Sequence, residues 1–341
     1  MMAEGTSTGS FQPVPQVTVC IPTIGRMKFL PHTLESLKRQ TYQNYEVVVL
    51  DNACPPDAEK LLQDFANSDR RVRILRTPFR IPMFPNFDRG IWAARGEYMT
   101  YFNDDDFYLP TFLERGVETL RENSNVGIVG SNSFVIDETG QVVRRRQMVS
   151  RTEVVPGHRF IMEVLRRGRC VVKFPSLMYR LSAIRPWGFD PAIGFHNGDL
   201  VLLMRMAETH DVAVIAELLW QTRVHADSFT LSVSPVQAMQ TGFEMLRSYC
   251  GEYAERYPQH RDQIKQLEKR LSHLHTRALL WAWLSASDGG EEQLLGAIEK
   301  SKGGRLVLST LRLVARYGLS PDRRRKHLAP MVRGFANRFG L

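Results

Sequence analysis

The sequence lacks most of the features that announce a function. Its four cysteines, Cys20, Cys54, Cys170 and Cys250, lie far apart and form no CxxC pair. That argues against a zinc site or a disulfide framework and for reduced thiols in a cytoplasmic protein. No run of about 18 apolar residues occurs, so no transmembrane helix is expected. Residues 1–16 are small, polar and proline-containing, without the basic and apolar regions of a signal peptide, and read as a flexible leader. There is no GxGxxG after the first apolar run, no GxxxxGK(S/T) and no GxSxG. Nicotinamide chemistry, P-loop hydrolysis and serine hydrolysis thereby lose their usual markers. Internal repeats and low-complexity tracts are also missing.

What is present is ordinary in amount and uneven in placement. The chain has 341 residues, 43% apolar and 24% charged, enough for one large domain or two. A net charge of +9 and a pI near 9.5 suggest a nucleic-acid partner until the charge is located. Residues 1–234 carry 27 basic and 26 acidic side chains, whereas residues 235–341 carry 18 and 10. The excess belongs to the last third, and no RNA- or DNA-binding motif accompanies it.

Taken in order, Val17–Ile21 reads as a first buried strand closed by Pro22 and Thr23, followed by a helix over residues 31–40. Tyr45–Leu50 is a second strand ending in Asp51 and Asn52. Asp57 is placed to cap a helix to Asn67, Val72–Leu75 is a third strand, and residues 86–95 form a helix stopped by Gly96. The alternation predicts a mostly parallel sheet flanked by helices. Further strands are expected over 127–136, with residues 137–140 as a turn into another, and over 171–179, 212–215 and 218–224, with helices over 157–167 and 199–208. Arg144 to Arg146 reads as a solvated loop. From Pro235 the pattern is helical, so the expected division is a leader (1–16), an α/β domain (17–234) and a basic helical region (235–341).

The stretch with the most chemical content is Tyr98 to Pro110. An apolar strand runs into Asp104, Asp105 and Asp106. Three adjacent carboxylates repel one another, and a hard divalent cation such as Mg²⁺ or Mn²⁺ relieves that repulsion. A solvated acidic turn is the plainer alternative, but ligands of α/β sheets bind at carboxyl ends of strands. Asp51 ends a strand in the same way and could accept from a base or a ribose, or simply cap a turn. Asp199 opens an apolar helix and could be an N-cap or a general base. His225 and His196 are candidates for metal or phosphate contact.

Together these residues resemble the inverting family 2 glycosyltransferases of the GT-A fold. The matching pieces are Val17-Thr-Val-Cys-Ile-Pro-Thr23, Val47-Val-Val-Leu-Asp-Asn52, and Asn86 with Gly90 and Ala94-Arg-Gly-Glu-Tyr98. They continue with Asn103-Asp-Asp-Asp106 and Pro110, then Gly188-Phe-Asp190 and Gly198-Asp199 with Leu202 and Arg205, and last Arg223, His225 and Ser228. Two positions depart from the pattern: Asn103 stands at the usual first Asp of the acidic motif, and Gly198 at the Glu before the base.

The resemblance implies transfer of a sugar, with inversion, from a nucleotide-diphosphate donor of UDP type. The acceptor would be a saccharide or a lipid-linked saccharide, in polysaccharide assembly. It assigns Asp199 as catalytic base. Pro22, Thr23, Arg26, Asp51, Asn86, Asp104 and Asp106 fall to the nucleotide-sugar site, and Asp105 with His225 to Mn²⁺ or Mg²⁺. The basic last third suits docking on the cytoplasmic face of an anionic membrane or a homo-oligomer contact through its helices. Other classes kept open are a catalytically impaired scaffold of the same fold and a nucleic-acid binder using the basic tail.

Overall fold

The computed structural model describes residues 14–170, 172, 174, 177–189, 198–228, 235–285 and 291–300. Most of the expected leader, Asp190, His196 and the basic run beyond Lys300 lie outside these residues. The chain divides into two compact units. The first holds residues up to 153 with 174–188 and 213–223; the second holds 154–173, 189–212 and the rest.

The first unit is built on a sheet. β1 (Val17–Thr23), β2 (Tyr45–Asp51), β3 (Val72–Arg76) and β4 (Tyr98–Tyr101) run parallel in the order β3-β2-β1-β4. α1 (Leu30–Lys38), α2 (Pro56–Ser68) and α3 (Met83–Ala93) form the crossovers. Every residue of β2 is buried, as expected where helices cover both faces of a parallel sheet. Beyond β4 the sheet turns antiparallel. After β5 (Phe107–Tyr108) and α4 (Phe112–Glu122) come β6 (Val126–Ile136) and β7 (Val142–Arg146). β8 (Glu153–Val155) and α5 (Gly157–Arg167) precede β9 (Met178–Arg180), α6 (Leu181–Ile184), α7 (Gly198–Ala207) and β10 (Asp211–Arg223). The order continues β4-β9-β6-β10-β5, and β7 pairs with β6.

Several expectations shift. Arg144 to Arg146 is a strand and not a loop, because β6 continues past the sheet body and offers its edge to β7. The two short strands expected over 212–224 are one, β10. α3 starts a turn earlier than expected, at Met83 behind Pro82, and α2 starts at Pro56, so Asp57 lies in its first turn instead of capping it.

Packing over the parallel strands is close. A Cβ on Gly90 of α3 would sit 2.9 Å from Cys20 Sγ and 3.1 Å from Leu50 Cδ1, so only glycine lets α3 lie this near β1 and β2. The Ala94–Tyr98 segment is a structural turn at the opposite sheet edge from the acidic turn. Thr18 Oγ1 accepts from the N–H groups of Arg95 (3.1 Å) and Gly96 (3.0 Å), and donates to Glu46 Oε1 at 2.8 Å.

The second unit is helical. α5 packs on α7 and α9 (Arg261–Ser285), and α8 (Pro235–Arg256) and α10 (Glu291–Lys300) also pack on α9. Its polar anchor is Glu208, which accepts from Tyr249 Oη at 2.8 Å and from Arg256 Nη2 at 2.7 Å. Among the described residues no helix is long and apolar enough to cross a membrane.

Candidate active site

Register brings the site together. Thr23 ends β1 directly beside Asp51 at the end of β2, and Cys20 lies beside Tyr101 at the end of β4. The turn after β4 therefore meets the turn after β1 at the carboxyl edge of the parallel strands. An aromatic post supports that turn from below. Tyr108 stacks on Phe102 with ring centres 3.6 Å apart. Its hydroxyl donates to the Tyr101 carbonyl at 3.0 Å and accepts from the Asn103 N–H at 3.1 Å. Thr33 of α1 closes the other side, donating to the Asp106 carbonyl at 2.7 Å.

The three carboxylates then have different surroundings. Asp104 is 2% exposed; its Oδ2 accepts from Thr23 Oγ1 at 2.7 Å and its Oδ1 from Arg26 Nη1 at 2.7 Å. Burial raises its pKa, Arg26 pulls it back and Asp105 raises it again. Asp106 is 3% exposed, and its Oδ1 accepts from the backbone N–H of Arg223 at 3.0 Å. Burial and then Asp105 hold its carboxyl well above the usual range. Asp105, between them, is half-buried. Asp104 and Asp106 are thus buried and hydrogen-bonded, and Asp105 between them is only half-buried.

Sequence reasoning missed the part Arg223 plays. Besides the bond to Asp106, its Nε donates to the Asp105 carbonyl at 3.1 Å. Its Nη1 donates to the carbonyls of Asp137 and Glu138, each at 3.1 Å. One residue from the end of β10 fastens the acidic turn to the β6–β7 turn. The only hint was its place in the late Arg-x-His-x-x-Ser pattern. Arg76 was missed too. It donates to Asp51 Oδ2 at 2.7 Å, while Asp51 Oδ1 accepts from the Cys54 N–H at 2.8 Å.

Of the other expected residues, Pro22 is half-buried in β1 opposite Leu50. Asn86 is 4% exposed; it accepts from Arg89 at 2.8 Å and reaches the Leu50 carbonyl at 3.4 Å, bracing the strand that ends in Asp51. Asp199 and His225 belong to the second unit. Asp199 lies in the first turn of α7, its Oδ1 accepting from the Leu200 N–H at 2.8 Å. His225 is 3% exposed and closes a turn on Ser228, whose Oγ accepts from its N–H at 3.2 Å.

The donor set suits a hard divalent cation. Asp105 offers a half-exposed carboxylate beside two buried carboxyls whose raised pKa values a cation would lower. Among the described residues no group of three His, Cys, Asp or Glu side chains is placed to hold a metal alone. Few-carboxylate binding completed by substrate phosphates and water is the Mg²⁺ pattern.

The glycosyl transferase family 2 model matches residues 18–186. An uncharacterized glycosyltransferase of Methanocaldococcus jannaschii is 26% identical over 132 residues, 38% of this chain and 46% of that protein. The GalNAc(5)-diNAcBac-PP-undecaprenol beta-1,3-glucosyltransferase of Campylobacter jejuni is 26% identical over 115 residues, 33% of this chain and 36% of that protein. The chain therefore spans less than half the length of either relative. Among solved structures, Staphylococcus aureus TarS 1–349 with UDP-GlcNAc superimposes with a TM-score of 0.65 at 15% identity, covering 95% of this chain and 92% of that one. The mannosyltransferase PcManGT of Pyrobaculum calidifontis, with GDP-Man and Mn²⁺, gives 0.52 at 17% identity, covering 87% and 84%. These neighbours share the helix-flanked, mostly parallel sheet of the GT-A fold. With the match running from β1 through the acidic turn to Pro186, residues 18–186 of this chain form a glycosyl transferase family 2 domain.

Proposed function

We propose that the protein transfers a sugar, with inversion, from a nucleoside-diphosphate donor of UDP type to a hydroxyl of a saccharide or lipid-linked acceptor. The observation that carries this reading is the Thr23–Arg26–Asp104 cluster at the strand edge, with Asp105 left half-exposed beside it. The UDP-GlcNAc bound by TarS and the GDP-Man and Mn²⁺ bound by PcManGT support it by likeness of fold.

In this reading Asp51 and the Arg76 it holds face the base, and Pro22 and Thr23 line the nucleotide. Asn86 keeps the strand beneath them in place. Asp104 fixes Arg26 toward the diphosphate, and Asp106 anchors the turn through Arg223. Asp105 would hold Mn²⁺ or Mg²⁺, with His225 as a further ligand, and such an ion would neutralise charge on the departing diphosphate. Asp199 takes the proton of the acceptor hydroxyl. That oxygen bonds to the anomeric carbon as the bond from the carbon to the diphosphate breaks, so the configuration inverts in one displacement.

The basic residues beyond 235 would hold the enzyme at the cytoplasmic face of an anionic membrane or join copies of it. Asp199→Asn is the direct test of the base. Release of nucleoside diphosphate from a panel of UDP- and GDP-sugars should fall about 10²- to 10⁴-fold with donor affinity unchanged. Undiminished turnover would remove Asp199 from the mechanism.

A further inference from the structure

The β6–β7 hairpin carries three arginines for which the donor reading has no use. Its turn is closed on itself: Asp137 Oδ1 accepts from the N–H groups of Thr139 (2.9 Å) and Gln141 (3.0 Å), and Gly140 supplies a φ of +89°. In β7, Arg144 lies opposite Val135, Arg145 opposite Phe134 and Arg146 opposite Ser133. Side chains alternate across a strand, so Arg144 and Arg146 share one face and Arg145 stands on the other. There the Arg145 guanidinium lies 5.9 Å from the Phe134 ring centre. Past β7 the chain is pinned by Asn132, whose Oδ1 accepts from the N–H of Met148 at 2.6 Å and whose Nδ2 donates to the Val149 carbonyl at 2.9 Å. The strand is fixed at both ends.

Among the described residues none of the three arginines makes an ion pair. Arg144 and Arg145 are exposed, but Arg146 is half-buried. Burial and then the charge of Arg144 lower the pKa of Arg146, and only Asp106 opposes them. Arg223 ties the acidic turn to the turn from which β7 leaves, through Asp106 and the Asp105 carbonyl on one side and the Asp137 and Glu138 carbonyls on the other. Arginines on an edge strand also guard against edge-to-edge pairing. A guard, however, gains nothing from a half-buried guanidinium without a counter-ion, an arrangement that a bound anion would relieve.

We infer that Arg144 and Arg146 form a subsite for a phosphate group of the acceptor, so that the acceptor class is a saccharide bearing a phosphate or phosphodiester near the receiving hydroxyl. This rests on the donor reading above and names the substrate of the same site. Alternate positions on a strand lie roughly 7 Å apart, so two planar guanidinium forks can converge on the oxygens of one phosphate. The pairing with β6 sets their spacing before any ligand arrives.

The experiment is calorimetric titration of the full chain with sn-glycerol 3-phosphate, with and without UDP and Mn²⁺. The variants are Arg144→Gln/Arg146→Gln and, as a charge control on the other face, Arg145→Gln. The expected result is phosphate-ester binding weakened about tenfold or more in the double variant, little changed in Arg145→Gln, with UDP–Mn²⁺ binding intact. Absence of ester binding in the wild type would overturn the inference, and so would equal weakening in all variants. Loss of UDP–Mn²⁺ binding in parallel would overturn it by giving the arginines to the donor diphosphate. So would arginine-dependent binding to phosphatidylglycerol vesicles without ester binding, which would make β7 a membrane contact. Arginine-dependent ester binding in a chain that binds no nucleotide would uphold the subsite and sink the donor reading instead.

Discussion

Asp104 is the most constrained carboxylate of the acidic turn, and its constraint has a sign. Burial keeps both Asp104 and Asp106 above the ordinary value of 3.8, so the folded chain holds these protons more tightly than the unfolded chain. The stability each contributes is complete below that value and is lost as pH rises through the raised pKa. Arg26 is the cation that limits this loss at Asp104. Arg26→Ala should therefore cost about 1–3 kcal/mol at pH 7, the cost of a buried polar group left short of a partner, and less near pH 4, where more of Asp104 is protonated than at pH 7. Urea unfolding at the two pH values checks this; an equal loss at both would mean that Arg26 acts through packing alone. The pair was legible in part, since Arg26 and Asp104 both stood in the expected donor site. The bond from the Arg223 N–H to Asp106 was not, because a backbone donor leaves no mark in the sequence.

Elements were legible where burial dictated residue type. β1 and β2 are largely apolar and almost wholly buried because helices cover both faces, and α5 begins at Gly157 and ends at Arg167 as its apolar spacing predicts. A strand was expected after the turn at 137–140, but its run through Arg144 to Arg146 escaped notice because those residues have no apolar face to alternate. Its strand character comes from the extended edge of β6 and the Asn132 bonds, which are contacts between segments distant in sequence. Ala94–Tyr98 matched the family pattern, yet its work is structural. A Cβ on Gly96 would lie 2.8 Å from both the Thr18 nitrogen and the Tyr98 carbonyl oxygen. Backbone atoms inside a sheet cannot yield cheaply, so Gly96→Ala should destabilise the fold by about 1–3 kcal/mol. Nucleotide affinity per folded molecule should stay the same. Thermal unfolding and titration on the same sample separate the two effects, and a selective loss of affinity would contradict the structural assignment.

At the scale of the whole molecule, the division of labour was harder to read. The sequence suggests a break near Pro235, whereas the segments of the two compact units alternate along the chain, with α5 and α7 grouped with the later helices. Chain order does not show which distant segments pack together, and that is why Asp199 and His225 were grouped with the acidic turn by resemblance alone. A cation at Asp105 competes with the protons held by Asp104 and Asp106, so Mn²⁺–nucleotide affinity should rise as pH is raised through the range, above 3.8, in which these carboxyls lose their protons. Titrations across that range at constant ionic strength check it; a flat profile would mean that these carboxyls are not linked to the cation.

The most direct measurement is a thermal-shift panel of UDP, GDP, dTDP and CDP, each with Mn²⁺ and with chelator, on the wild type and on Asp105→Ala. A ligand that binds the native state raises its apparent stability by mass action. The account predicts stabilisation by one nucleotide, UDP first, that needs Mn²⁺ and vanishes in Asp105→Ala. No shift with any nucleotide, or a shift that survives both the chelator and the substitution, would contradict it.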